Sequence, residues 1–463
     1  MGKMAGDTLI GKEEFMSVLV QRSVARTLFS MAFPMLAGTF SMTAYNLTDT
    51  WFVSRLGTVP LAAMGFTFPV VMFLSCVARG IGSGVTTLTS HAIGSNDHER
   101  ACRLVTHGFM LALAVTAVMS IGGYLSITPV FTRLGADETA LPLIGEYMRT
   151  WFAGVLFMTL PMVGGGILIS AGDSKAASLL VVAGTVLNMI LDPIMIFGFL
   201  GCPAMGIRGA ALATVIAQAT AAVWLVYLLY RKHRLLAWRS WPLSQYFVSL
   251  RQIAHFAVPS ILSMILMPVS ASVITRLLSQ FGNAAVAASG AATRVEMFAF
   301  VIPMALGISL TPFISQNFGA NRLDRIRKAR KVAMVFALGY GAFATAAFFL
   351  SAPWLAALFT NDPAVATVFV SYVRIISFGY GMMEVHRYCT FFLTGLHMPL
   401  SATALNAIRV VVLLIPLSCL GAHFFGIEGV FLGRLVTDFT VGGIGLVWVA
   451  YVFRSFQLRA TPA

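Results

Sequence analysis

Two acids stand where acids are expensive. Asp49 and Asp192 lie inside long apolar stretches, and an Asp near the middle of a membrane span costs roughly 2.5–3.5 kcal/mol to insert. Each follows an amide on its own helical face: Asn46 precedes Asp49 by three residues and Asn188 precedes Asp192 by four. An amide can hydrogen-bond either protonation state of a carboxyl group. A pair so arranged can load a proton on one side of a membrane and release it on the other. The plainer alternative is that Asp49 caps a frayed helix end near water and that Asp192 merely precedes Pro193 at a break.

The elements that hold these residues follow from composition. The chain has 463 residues, 58% of them hydrophobic and 10% charged, with mean hydropathy +0.85. So much apolar surface calls for lipid as the solvent, and helices satisfy their backbone amides within one segment. Apolar stretches of about 20 residues or more predict spans near 28–52, 60–91, 103–127, 143–170, 176–199 and 208–231. A second set falls near 250–277, 284–314, 329–350, 366–394, 399–422 and 427–453. The expected fold is therefore an all-α integral membrane protein of about twelve transmembrane helices.

Lys and Arg collect before the first span (Lys3, Lys12, Arg22, Arg26), after the sixth (Arg231, Lys232, Arg234, Arg239) and after the eighth (Arg322 to Lys331). That bias predicts both termini on the cytoplasmic side of the cell membrane. It also accounts for most of the +14 net charge, so no nucleic-acid partner is required. With this polarity, Asp49 and Asp192 fall at comparable depth in the outer half of outward-running spans, where they can line one cavity.

A shift of 225 residues lays the first half over the second, placing Pro34 on Pro259, Gly57 on Gly282, Gly82 on Gly307, Gly94 on Gly319 and Asn96 on Asn321. Six spans return the chain to its starting side, so the copies are parallel repeats. The expected organisation is an N-terminal segment 1–27, a first lobe 28–231, a linker 232–249, a second lobe 250–453 and a tail 454–463. Two such lobes can rock to expose a central site to alternate sides. Asp49 maps to Ile274 and, with a shift of 223, Asp192 maps to Ile415 and Asn188 to Val411. What one copy carries and the other lacks is where function is sought.

The second half has its own charges inside spans: Arg294, Glu296, Arg374, Glu384, His386, Arg387, Arg409 and Arg434. With both signs mixed, structural ion pairs are the first reading. Glu384 is kept as an ion or substrate contact, and His386 is read as packing. Met31, Met35, Met42 and Tyr45 are candidates for an adaptable substrate wall. Pro34 lacks a backbone donor and marks a candidate hinge. Cys76, Cys102, Cys202, Cys389 and Cys419 have no paired spacing and read as packing residues, with no metal site expected. Gly6–Lys12 opens like a phosphate loop but continues with Glu13, so no nucleotide site and no cofactor are expected. Transport would have to run on an ion gradient.

At these residues the chain resembles the multidrug and toxic compound extrusion (MATE) family. The run Tyr45-Asn46-Leu47-Thr48-Asp49-Thr50-Trp51-Phe52-Val53-Ser54-Arg55-Leu56-Gly57 is similar to that family's first-helix signature. Gly172-Asp173 with Asn188-Met189-Ile190-Leu191-Asp192-Pro193 resembles its fourth-to-fifth helix segment, and Gly94-Ser95-Asn96-Asp97 and Gly319-Ala320-Asn321 its paired loops. The resemblance implies an antiporter exporting lipophilic, mostly cationic small molecules in exchange for H+, with Na+ the alternative; a monomer is expected. Within the family's DNA-damage-inducible branch it assigns Asp49, Asp192 and Asn188 to the coupling site and Pro34 to a bend of the first helix. No acid lies between Pro259 and Gln280, which favours protons over sodium. Gly164-Gly165-Gly166 departs from the family pattern and suggests a wider cavity. Two rivals stand beside this reading. A lipid-linked saccharide flippase would need a basic cavity, and an intramembrane aspartyl hydrolase lacks its motif, since Ser170-Ala171-Gly172-Asp173 matches only loosely.

Overall fold

The computed structural model describes residues 18–460 other than 238 and 240. Lys3, Lys12, the Gly6–Lys12 stretch, Trp238 and the side chain of Asn46 lie outside the described residues. Among those described there is no strand. After the short α1 (Val18–Gln21), the first half forms α2 (Val24–Ser54), α3 (Thr58–Gly94), α4 (His98–Leu125), α5 (Ile127–Arg133), α6 (Ala140–Ser170), α7 (Ser174–Phe197) and α8 (Gly206–Tyr227). The second half forms α9 (Leu243–Ser279), α10 (Asn283–Gly319), α11 (Leu323–Phe359), α12 (Pro363–Ser377), α13 (Tyr380–Gly395), α14 (Pro399–Ala407) and α15 (Ile415–Ala460).

Nine of the described helices are long and apolar enough to cross a membrane, and a bent pair makes a tenth. Here α12 and α13 count as one bent span, and the run from Pro399 to Phe456 divides at Gly426, whose φ is 62°. The expected span near 366–394 is present but bent: α12 and α13 meet at an angle of 55°. The break carries its own partners, because Thr345 Oγ1 donates to the Ser377 carbonyl at 2.6 Å and the Gly379 amide to Ile376 at 2.9 Å. Close approach matters just past this break. A Cβ on Gly341 of α11 would lie 2.2 Å from the Gly381 Cα of α13.

The duplication is visible in the backbone. Gly57 and Gly282, repeat mates, precede α3 and α10 with φ of 114° and 94°, a region that residues with a side chain avoid. Asn96 and Asn321 take φ of 59° and 55° at matching turns, the left-handed conformation that Asn tolerates best after Gly.

The chain divides into two compact units. One gathers Ser30–Ile261, and the other runs from Leu262 onward and takes in Ser23–Phe29. In the first, Phe131, Ile144, Met148, Trp151 and Phe152 form the main apolar core. In the second, Phe369, Tyr372, Ile376, Tyr380 and Phe431 do so. The stretch 232–249 is only half a linker, since α9 starts at Leu243. What precedes α9 is fastened to α4: Cys102 Sγ donates to the Arg234 carbonyl at 3.0 Å, and His107 packs edge-on against Trp241 and Tyr246. Cys76, Cys102 and Cys389 are buried, as packing residues should be, but Cys202 and Cys419 are exposed.

Asp173 closes the turn between α6 and α7. Its carboxylate accepts from the Ala176 amide (3.1 Å), which caps α7, and from Lys232 Nζ (2.6 Å), with His233 Nε2 at 3.1 Å. Burial opposes its ionisation, but these partners outweigh burial and hold the carboxyl below its usual range. A depressed folded pKa gives stability that is present above the ordinary carboxylate pKa of about 3.9 and is lost as pH falls through the folded value. Asp173→Asn is expected to lower the melting temperature of detergent-solubilised protein at neutral pH, with the gap to wild type closing in acid. A gap independent of pH would contradict this account of the turn.

Candidate ion-coupling site

Asp49 lies well inside α2, which runs five residues further, and is 6% exposed. It is not a frayed cap. Asp192 is fully buried in α7, which continues unbroken through Pro193 to Phe197. The two carboxylates stand within electrostatic reach of one another and of Tyr45 of α2 and the buried Tyr147 of α6.

A hydrogen-bonded chain ties three helices together here. Tyr45 Oη meets Thr214 Oγ1 of α8 at 3.1 Å. With its amide oriented to suit both neighbours, Asn188 accepts from Thr214 Oγ1 at 3.3 Å and donates to Asp192 Oδ2 at 3.1 Å. Asp49 differs: its Oδ1 is buried with no hydrogen-bond partner among the described residues. Neither acid has a basic partner within ion-pair distance among the described residues. Two carboxylates in low dielectric without a counter-charge make a site for a proton or another small cation.

An apolar cluster lies one helical turn from this site. Val53, Ile196 and Ala210 form it, with Phe52, Leu56, Met64 and Phe197 packed around them. Each lies four residues, or one helical turn, from a polar member: Val53 from Asp49, Ile196 from Asp192 and Ala210 from Thr214. Because α7 and α8 run antiparallel, the three residues lie at the same end, at the C-termini of α2 and α7 and the N-terminus of α8.

The other candidates scatter. Met31 and Met35 are buried at 3% and 7%, so they offer no open wall, whereas Met42 is exposed and Tyr45 half-buried. No wider cavity follows from Gly164 and Gly166, where an added Cβ would meet Leu225 and Thr86 at 2.2 Å; these positions serve close helix packing, and only Gly165 is open. Pro34 leaves α2 continuous, and its carbonyl accepts from Ser178 Oγ of α7 at 2.5 Å.

The second unit holds a different arrangement. Arg434 binds Glu296, Nη1 reaching Oε2 at 3.1 Å and Nη2 reaching Oε1, and Nη1 also donates to Tyr372 Oη at 2.7 Å. Arg409 Nη2 donates to Asp438 Oδ1 at 2.9 Å, and Arg387 Nη1 lies 3.0 Å from Glu384 Oε1. Acid is matched by base throughout. Arg294 and Arg374 do not join and are exposed. Arg294 is two residues from the buried Glu296, so a helix turns it to the opposite side. His386 is buried.

A family model described as MatE matches residues 34–194 and again 259–420, two copies whose starts are separated by the same 225 residues as the internal repeat. The chain belongs to the MatE family. Members of this family are membrane transporters, not enzymes. This MatE protein is 35% identical to a protein named "FAD transporter" from Shewanella oneidensis, over 92% of this chain and 94% of that one. It is 29% identical to a "Probable multidrug resistance protein" of Bacillus subtilis, YoeA, over 67% of this chain and 68% of that one. Among solved structures it is similar to the Vibrio cholerae MATE transporter VcmN in the bent form, with TM-score 0.89 and 32% identity, covering 94% of this chain and 98% of that one.

Sequence reasoning overlooked Thr214, Tyr147 and Asp438 in this MatE chain. Asp438 gave the same signal as Asp49, a carboxylate inside an apolar run. Thr214 and Tyr147 are ordinary residues for a membrane helix and give none. The apolar cluster yields a direct test. Ile196→Ser should speed labelling of Asp49 and Asp192 by a hydrophilic carbodiimide several-fold, read by mass spectrometry of peptides. An unchanged rate would mean that access is limited elsewhere.

Proposed function

We propose that this transporter is a secondary active exporter of the cell membrane that exchanges H+ for small organic molecules by alternating access, with Asp49 and Asp192 as its coupling pair. The observation that carries this reading is the pair of buried carboxylates, Asp192 held by Asn188 and through it by Thr214 and Tyr45, Asp49 with an unpartnered oxygen, and neither in an ion pair among the described residues. Negative charge in such a place is balanced only by a mobile cation. A proton arriving on the pair lets the substrate leave; loss of the proton on the other side restores the site. One pH unit supplies about 1.4 kcal/mol per proton, enough for modest uphill export. The missing acid between Pro259 and Gln280 supports protons over sodium and membership of the DNA-damage-inducible branch. The excess of Lys and Arg supports cytoplasmic termini. Any bend of α2 at Pro34 would have to break the contact with Ser178.

In liposomes under an imposed pH gradient, Asp49→Asn and Asp192→Asn should each cut substrate movement by about tenfold or more, and a sodium gradient should drive none in wild type. Intact proton-driven transport in both variants would remove the coupling assignment.

Two readings of the substrate follow from different observations. Lipophilic cations fit the multidrug relatives and the buried acid pair of the first unit. A flavin dinucleotide fits the 35% identity to the FAD transporter, which extends over nearly the whole chain. Everted vesicles given ethidium and FAD separately distinguish them. ATP-independent, pH-driven uptake of ethidium alone favours the first, and that of FAD alone the second.

A further inference from the structure

We propose that Arg387, Arg409 and Arg434 of the second unit form a docking site for an anionic group of the exported molecule, a phosphate or pyrophosphate. The inference deepens the second substrate reading above and rests on it.

The first observation is which part of each ion pair is visible. The arginine side chains are 21%, 14% and 20% exposed, while their partners Glu384, Asp438 and Glu296 are 1%, 1% and 6% exposed. Carboxylates lie behind and guanidinium groups in front. Three such groups well inside membrane spans do not face hydrocarbon, so this surface lines water. A solute there meets positive charge first.

The second observation is how the donors are used. Arg434 spends its donors on Glu296 and Tyr372, and Arg409 spends two on Asp438. Arg387 is less committed. Its one hydrogen bond among those described is a 3.8 Å contact to the Met304 sulfur, and neither Glu384 oxygen accepts a hydrogen bond. Glu384 therefore balances its charge without using its fork of N–H groups. The guanidinium also lies over the Phe300 ring at 5.1 Å, and that of Arg434 over Tyr372 at 5.9 Å, contacts that limit the freedom of both side chains. A planar fork with unspent donors, held over an aromatic ring, matches the bidentate geometry of phosphate oxygens. The buried acids make the empty site neutral, so it persists in the membrane without a ligand.

The test is binding of FAD to the purified full-length protein in uncharged detergent, followed by flavin fluorescence, with ADP and pyrophosphate as competitors. Wild type should bind FAD and lose it to both. Arg387→Gln should weaken binding about tenfold, and Arg387→Lys by less, since the charge remains but the fork is lost. The double variant Arg387→Gln/Glu384→Gln removes the pair together, leaves no buried charge unbalanced and should bind as weakly as Arg387→Gln. Unchanged affinity in the double variant overturns the proposal, as does failure of wild type to bind any of the three anions. Stronger competition by short-chain phosphatidylglycerol than by pyrophosphate also overturns it, giving the site to a lipid headgroup. Binding is read without a gradient, so its failure is distinct from a failure of transport: FAD bound but not moved under a pH gradient keeps the site and removes the substrate reading.

Discussion

An uncompensated negative charge inside a membrane protein is the constraint on which the rest of this structure depends. Burying a carboxylate costs several kcal/mol unless a partner of opposite charge comes with it. The second unit meets that cost with fixed partners, matching Glu296, Glu384 and Asp438 with Arg434, Arg387 and Arg409. The first unit does not. Asp49 and Asp192 are as deeply buried, yet an amide backed by two hydroxyls stands beside Asp192 and no guanidinium group pairs with either among the described residues. Such neighbours position a carboxyl group without choosing its protonation state, which is what an exchangeable proton site requires. In our proposal the choice of Thr and Asn over Arg separates a site that turns over from one whose charges are paired.

Duplication explains how one fold came to hold both. The copies share the residues that bend the backbone: Gly57 with Gly282 and Asn96 with Asn321, all at positive φ. They differ where chemistry is at stake, with Ile274 and Ile415 at the positions of Asp49 and Asp192. Backbone conformation constrains both copies equally. Polar side chains within the bundle were free to diverge, and in our proposal they divided proton handling from recognition of the substrate's charge.

Much of this was legible because lipid punishes exceptions. A carboxylate in an apolar run stands out, so Asp49, Asp192 and Glu384 were found from spacing and composition, and so were the helical class and the duplication. Other features were hidden for physical reasons. Val53, Ile196 and Ala210 are unremarkable apolar residues from three helices, and only packing shows that they meet. Thr214 has no sequence neighbour that betrays it. The break between α12 and α13 falls in a stretch apolar enough to read as one span, since hydropathy is blind to a bend whose backbone groups find local partners. Arg294 was grouped with Glu296 by proximity along the chain, although two residues on a helix point nearly opposite ways.

The central claim is that protons and substrate compete for occupancy of one protein through Asp49 and Asp192. Proton release on substrate binding tests it most directly. Purified protein in weakly buffered detergent is mixed with a transported substrate while a pH indicator is followed. The account predicts that wild type releases protons on binding and that the Asp49→Asn/Asp192→Asn double variant binds without releasing them. Equal release from both proteins, or binding to wild type with none, would contradict it.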